Sequence, residues 1–158
     1  MGDVTVTIRP ATAGDREWIL GHAPRLHDFG PPPYRPREVM DRAVVASIDG
    51  ALSGSAPGAE VFVAVGAGDE RLGFIHLHGA TDFFTGEPHG HVSDIVVAPE
   101  ARGRGVGEAL MAAAEGWARG RGYRLLSLHV FDGNARARKF YARLGYQADV
   151  RKLVKPLE

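Results

Sequence analysis

The chain has 158 residues and a formal net charge of zero, which fits one domain of ordinary size. Its 44% hydrophobic and 24% charged residues are typical of globular proteins and exclude a disordered or collagen-like chain. The absence of cysteine excludes disulfides, thiolate zinc sites and a cysteine nucleophile, and it favours a reducing, cytoplasmic location. Because residues 1–9 hold no apolar run, we expect neither a targeting signal nor a membrane partner.

Sequence periodicity predicts alternating strands and helices. Val and Ile alternate with Thr near the N-terminus, as in a half-buried strand, and Thr12 after Pro10 predicts a helix start. Three prolines in residues 27–36 indicate a loop. The predicted elements are strands at 4–8, 60–65, 71–78, 91–97, 125–130 and 146–154, and helices beginning near residues 12, 37, 106 and 135, with polar loops at 53–59 and 79–90. This order predicts one α+β sheet with helices on both faces, in a single domain over residues 1–158.

Charge is unevenly distributed along the chain. Residues 1–100 carry 7 Lys and Arg against 14 Asp and Glu, whereas residues 101–158 carry 12 against 5. A basic C-terminal portion suits a polyanionic ligand such as a nucleotide with several phosphates. We expect no nucleic-acid partner, because the Arg residues are spread between apolar positions and no nucleic-acid-binding motif occurs.

A glycine-rich segment lies between the predicted strand at 91–97 and the helix that follows. It reads Arg102-Gly103-Arg104-Gly105-Val106-Gly107. Alternate glycines let the backbone turn tightly, and the free N–H groups of the next helix attract an anion. The segment matches neither the P-loop nor the dinucleotide fingerprint, since Glu108 occupies the last glycine position of the latter. A plain structural turn is the alternative.

The string from Asp94 to Gly107, DIVVAPEARGRGVG, resembles the acetyl-CoA-binding signature of the GNAT superfamily of N-acetyltransferases, written Arg/Gln-x-x-Gly-x-Gly/Ala. The resemblance continues through residues 126–130, Asn134, the Phe140-Tyr141 pair and residues 144–146, and it covers residues 91–154 closely. It implies a mixed, mostly antiparallel sheet of six to seven strands with splayed central strands, and acetyl-CoA as co-substrate without a metal.

The same resemblance implies a set of cofactor-binding residues. The pantetheine arm would lie along one strand, the pyrophosphate on backbone N–H groups of the glycine-rich segment, and the side chain of Asn134 near the pantetheine. Asn134 is equally well placed to cap the following helix. The implied set is Ile95, Val96, Val97, Arg102, Gly103, Arg104, Gly105, Val106, Gly107, Glu108, Asn134 and Tyr141.

Acetyl transfer to an amine needs a base for the ammonium and benefits from an acid for the departing thiolate. Tyr141 matches the position of the family's usual general acid, and its alternative role is an aromatic core residue. His129 falls where relatives that acetylate protein N-termini carry Glu, so we take it as the candidate base, with His91 and Asp94 as rivals. A structural role for either histidine is the alternative.

Four histidines, His76, His78, His89 and His91, lie close together in the sequence. His76 and His78 share one face of a predicted strand, but no carboxylate or cysteine at ligand spacing completes a metal site. We therefore expect no metal.

The resemblance implies direct transfer of acetyl to a primary amine of a small molecule or peptide. The acidic excess of the N-terminal portion favours a cationic acceptor, such as a polyamine, an aminoglycoside or a Lys-bearing peptide. The alternatives are a catalytically silent domain that senses acyl-CoA and a basic domain associated with nucleic acid. An open sheet edge beside the last predicted strand allows a homodimer.

Overall fold

The computed structural model describes residues 5–157. Within them, no helix is both long and apolar enough to cross a membrane. The strands are β1 (Thr7–Pro10), β2 (Glu60–Val65), β3 (Arg71–Thr81), β4 (Pro88–Val97) and β5 (Leu126–Leu128), and the helices are α1 (Arg16–His22), α2 (Arg37–Leu52), α3 (Val106–Gly120) and α4 (Ala135–Arg143).

One sheet organises the described residues, with its strands in the order β1-β2-β3-β4-β5. The pairs from β1 to β4 are antiparallel, and β4 pairs with β5 in parallel. The predicted mixed, mostly antiparallel sheet is confirmed, but it contains five strands rather than six to seven. The strand predicted at 4–8 lies at residues 7–10, and residue 4 is outside the described residues.

Two apolar cores lie on opposite faces of the sheet, which confirms helices on both faces. Ile19 of α1 and Ile48 of α2 pack on one face against Val63 and Phe74. On the other face, Leu110 and its neighbours in α3 pack against alternate residues of the same strands. Strand alternation thus gives β2 and β3 two apolar faces, as expected for the middle of a three-layer fold.

The prediction of a strand at residues 146–154 is wrong. This segment contains neither strand nor helix, and Val150 and Leu153 are 80% and 84% exposed. A strand exists only when its backbone groups pair with a neighbour, and no described strand pairs with this segment.

The β3–β4 hairpin is longer than the sequence predicted. Its strands pair out to Thr81 and Pro88, so the loop is residues 82–87 rather than 79–90. Backbone N–H groups of Phe84 and Thr85 donate to a carboxylate oxygen of Asp82, and Gly86 has a φ of 73°. This local turn chemistry closes the hairpin.

Asp15 connects the start of α1 to two strands. Its buried carboxylate accepts from the Thr12 N–H at 2.8 Å and from the guanidinium groups of Arg9 and Arg71, each at 2.7 Å. The helix predicted to begin at Thr12 accordingly opens with a short 3₁₀ turn over Ala13–Asp15, followed by α1.

Candidate active site

Strands β4 and β5 separate at the centre of the candidate site. They pair only from Gly90 with Leu126 to Val92 with Leu128, while β4 continues to Val97 along β3. A bulge lies just beyond this pairing, because His76 of β3 faces Asp94 and Leu77 faces Val92. A bulge bends its strand, so the pairing with β5 ends there. The predicted splay of the central strands is confirmed.

The glycine-rich segment begins α3 at the end of β4. Gly103 and Gly105 have φ angles of 77° and 76°, and Gly105 is the residue that precedes the first turn. These angles belong to the left-handed region, where glycine carries no steric penalty. No side chain caps this helix, so the N–H groups of Val106, Gly107 and Glu108 lack acceptors within it.

Three of the predicted cofactor residues, Ile95, Val96 and Val97, lie on the part of β4 that pairs with β3 but not with β5. Ile95 and Val96 pair with β3 on one side, so their other side faces β5 beyond the last pair. The Val96 side chain packs in the α1–α2 core, whereas Ile95 and Val97 contact the α3 core. Arg102 is exposed, Arg104 lies 3.9 Å from Glu70 and Glu108 lies 3.7 Å from Arg143.

Helix α4 contacts the beginning of α3. A Cβ atom on Gly107 would lie 3.1 Å from Cζ of Phe140, so the glycine permits this close approach. The Asn134 side chain accepts from the Ala137 N–H at 3.2 Å, and its role as the helix cap is therefore present.

Tyr141 lies next to Phe140 and is half-buried against the α3 core. Burial raises the pKa of Tyr141 to about 12, and the charge of Asp94 adds to this rise. The phenol is therefore protonated at neutral pH. It lies within electrostatic range of the β4 carboxylate that the sequence singled out as a rival base.

Histidines form a row on the sheet face that packs against α1 and α2. The row consists of His76, His78, His91 and His129, with ring centroids 6.2, 5.0 and 4.9 Å apart in succession. His91 Nδ1 lies 2.8 Å from Oγ of Ser127. Burial lowers the pKa of His91 to about 4, with His129 and His78 contributing. His91 is thus neutral at pH 7, and His129 is the exposed end of the row.

His76 is a residue of the site that the sequence reasoning considered only for metal binding. It is buried, and its Nδ1 lies 2.8 Å from a carboxylate oxygen of Asp94. Antiparallel pairing of the two strands, with the bulge in place, is the signal that would have brought these residues together. Among residues 5–157, no group of three His, Asp or Glu is placed to hold a metal ion.

A second feature that the sequence reasoning missed lies beyond the end of β5. Phe131 stacks on Phe29 at 5.2 Å, and the guanidinium of Arg35 lies 5.7 Å from the Phe131 ring and 5.0 Å from that of Tyr34. The proline-rich loop between α1 and α2 therefore covers the chain just after His129.

The chain is similar to known acetyltransferases in both sequence and fold. The family model for the acetyltransferase (GNAT) family matches residues 25–146. Streptothricin acetyltransferase of Streptomyces lavendulae is 39% identical over 98 residues, which are 62% of this chain and 49% of that protein. The peptidyl-lysine N-acetyltransferase YjaB of Salmonella typhimurium is 30% identical over 120 residues, which are 76% of this chain and 72% of that protein. This chain spans half the length, or less, of the first curated relatives it matches.

A solved structure described as a putative acetyl transferase from Pyrococcus furiosus superposes with a TM-score of 0.78. It is 28% identical in sequence, and the match covers 97% of this chain and all of that one. The chain belongs to the acetyltransferase (GNAT) family, as the family model, the relatives and the fold agree.

Proposed function

We propose that this protein transfers the acetyl group of acetyl-CoA to a primary amine by direct attack in a ternary complex. The observation that carries the proposal is the separation of β4 from β5 immediately before the glycine-turned start of α3. A strand edge that lacks a neighbour offers backbone partners to an amide-containing arm, and the adjoining helix start offers N–H groups to phosphate. Family membership supports acetyl-CoA as the co-substrate.

In this proposal different groups of the chain bind different parts of the cofactor. Backbone groups of Ile95, Val96 and Val97 bind the pantetheine amides, and the N–H groups of residues 103–108 bind the pyrophosphate. Arg102, which is exposed beside them, adds positive charge. Acetyl-CoA supplies a thioester carbonyl that is open to attack by an amine.

Tyr141 is the proposed general acid, and His129 the proposed base. The amine nitrogen bonds to the acetyl carbon while the carbon–sulfur bond breaks. Tyr141 donates its proton to the sulfur, and His129 accepts the proton that the amine loses. The phenol pKa of about 12 keeps the acid protonated. The His91 ring lies 4.9 Å from that of His129 and is less exposed. Asp94 is already hydrogen-bonded to His76. These contacts favour His129 over its two rivals.

The acceptor class is proposed at a coarse level as an amine of a small molecule or peptide. One relative is named for streptothricin and another for peptidyl lysine, so the family accommodates both kinds. One N-acetyltransferase domain over residues 1–158, a cytoplasmic location and a homodimer stay predictions.

Calorimetric titration with acetyl-CoA tests the proposal, with CoA lacking its 3′-phosphate and NAD as controls. We expect selective binding of acetyl-CoA at micromolar concentration, followed by release of free thiol when an amine is added. Binding without turnover over a broad panel of amines would favour the acyl-CoA-sensing alternative. No binding would refute the cofactor assignment.

A further inference from the structure

Ion pairing decides whether the acidic excess of the N-terminal portion is available to a cationic acceptor. Most of these carboxylates already contact a basic side chain of the same chain. The pairs are Asp15 with Arg9 and Arg71, Asp28 with Arg37, Asp41 with His27, Asp49 with Arg16, Glu60 with Arg121, Asp69 with Arg9, Glu70 with Arg104, Glu87 with Arg124, and Asp94 with His76. A carboxylate that is already paired with a guanidinium group contributes little net field to an approaching ammonium group.

Arg35 differs from these paired carboxylates. Among residues 5–157 its guanidinium forms no ion pair, and the Tyr34 hydroxyl, 3.4 Å from Nη1, is its polar contact. Its Cζ atom lies over the Tyr34 and Phe131 rings, 5.0 and 5.7 Å from the ring centroids, and its N–H groups can still donate to a further acceptor. Aromatic faces hold a guanidinium in place without neutralising its charge.

The loop that carries Arg35 is fixed at both ends. Before it, the imidazole of His27 is buried and lies 2.6 Å from a carboxylate oxygen of Asp41 in α2. After it, the guanidinium of Arg37 donates to the carbonyl of Pro24 and to the carboxylate of Asp28. The Arg35 N–H donates to the Pro32 carbonyl at 3.0 Å. Three consecutive prolines restrict the loop further. The cation is therefore preorganised.

Phe131 links Arg35 to the proposed base. It contacts Phe131, which is two residues after His129, and two residues of chain span at most about 7 Å. His129 contacts His91, and Phe131 contacts Phe29, so both face the α1–α2 side of the sheet. An acceptor with its nitrogen at His129 can therefore extend along this side of the sheet toward Arg35.

We propose that Arg35 binds an anionic group, a carboxylate or a phosphate, of the acceptor, which is therefore an amine joined to an acid by a short spacer. This inference rests on the proposed function and reverses the cationic acceptor predicted from the overall charge. The guanidinium fork matches both anions through paired hydrogen bonds. Asp132, next to Phe131 and exposed, is the carboxylate that a cationic acceptor would use instead.

Matched acceptors test the inference with the full chain and acetyl-CoA, by following thiol release. The pairs are 4-aminobutyrate with butylamine, and phosphoethanolamine with ethanolamine, and spermidine represents a polycation. We expect kcat/KM for at least one acid of a pair to exceed that of its neutral partner about tenfold or more. The pair that shows the preference distinguishes carboxylate from phosphate.

Variants then assign the preference to Arg35. Arg35→Gln is expected to remove the preference by raising KM, Arg35→Lys to retain part of it, and Asp132→Asn to leave it unchanged. Arg25→Gln is the matched control, since Arg25 lies just before the same loop but forms an ion pair with Asp28 at 3.7 Å. The affinity for acetyl-CoA, measured by calorimetry, should be equal in all four variants.

Two results would overturn the inference while leaving the proposed function intact. One is turnover that favours spermidine or the neutral amines, with a loss in Asp132→Asn. The other is an acid preference that persists in Arg35→Gln. Failure of the wild-type protein to bind acetyl-CoA would instead overturn the proposed function, and the inference with it.

Discussion

Gly107 in the first turn of α3 lies against Phe140 of α4, and a Cβ atom on the glycine would lie 3.1 Å from Cζ of the ring. This contact helps to position α4, which carries Tyr141, relative to the N–H groups that we assign to the pyrophosphate. The glycine of the signature therefore has two roles, since it leaves a backbone N–H accessible and admits a neighbouring aromatic ring.

Gly107→Ala is expected to weaken acetyl-CoA binding about tenfold and to change the free energy of unfolding by about 1 kcal/mol, because the ring must shift. Calorimetry and urea unfolding measure the two effects. Gly116→Ala is the control within the same helix, since nothing lies within 4 Å of its Cβ position. It should stabilise the protein by up to about 1 kcal/mol without changing the affinity. Equal affinities in both variants would contradict the contact's proposed role.

Tyr141→Phe is expected to lower kcat about a hundredfold while leaving the acetyl-CoA dissociation constant unchanged, because only proton donation is removed. Since the pKa of Tyr141 is raised to about 12, its titration should not limit kcat below about pH 10. Tyr146→Phe is the matched control, as Tyr146 is also partly buried and its ring lies 6.0 Å from that of Tyr141. Unchanged turnover in Tyr141→Phe would remove this residue from the mechanism.

The lowered pKa of His91 predicts that the folded protein loses stability in mild acid. Burial lowers its pKa to about 4 from an ordinary value of 6.5, so the unfolded chain binds the proton more readily between these values. The stability it contributes is present above pH 6.5 and is lost as the pH falls toward 4. Partial exposure reduces the loss at pH 5 to about 1 kcal/mol. In His91→Gln, urea midpoints at pH 7 and pH 5 should differ less than in the wild type, and an equal difference would argue against this assignment.

Asp15→Asn is expected to destabilise the fold by about 3 kcal/mol, because Arg9 and Arg71 lose a buried carboxylate partner. The hydrogen bond from Arg9 is the largest cause that holds the pKa of Asp15 well below its usual range. Its stabilisation is complete above the ordinary value of 3.8 and falls as acid protonates the folded carboxylate.

Unfolding curves in urea below pH 4 should therefore be less pH-dependent in Asp15→Asn than in the wild type. Asp49→Asn is the exposed counterpart, because Asp49 forms an ion pair of similar length with Arg16 but at the surface. It should lower the free energy of unfolding much less than Asp15→Asn does, because solvent screens an exposed ion pair. Similar losses in the two variants would show that burial of Asp15 does not control its contribution.

The sequence by itself determined the elements whose signals are local. The predicted beginning of α2 near residue 37 and the predicted bounds of β2 are those of the structure. The cap at Asn134 and the glycine-turned start of α3 also follow from residues that are neighbours in the chain. Capping, turn formation and short-range periodicity depend on a few adjacent residues, so a single sequence is enough to predict them. The family signature depends on the same local order.

Only the tertiary structure decided which distant residues meet. The bulge in β4 brings Asp94 to His76, and the loop between α1 and α2 brings Arg35 to Phe131. The absence of a strand over residues 146–154 in the described structure has the same origin as these contacts. Strand register, bulges and loop docking depend on a partner elsewhere in the chain, and a pattern within one segment does not specify that partner.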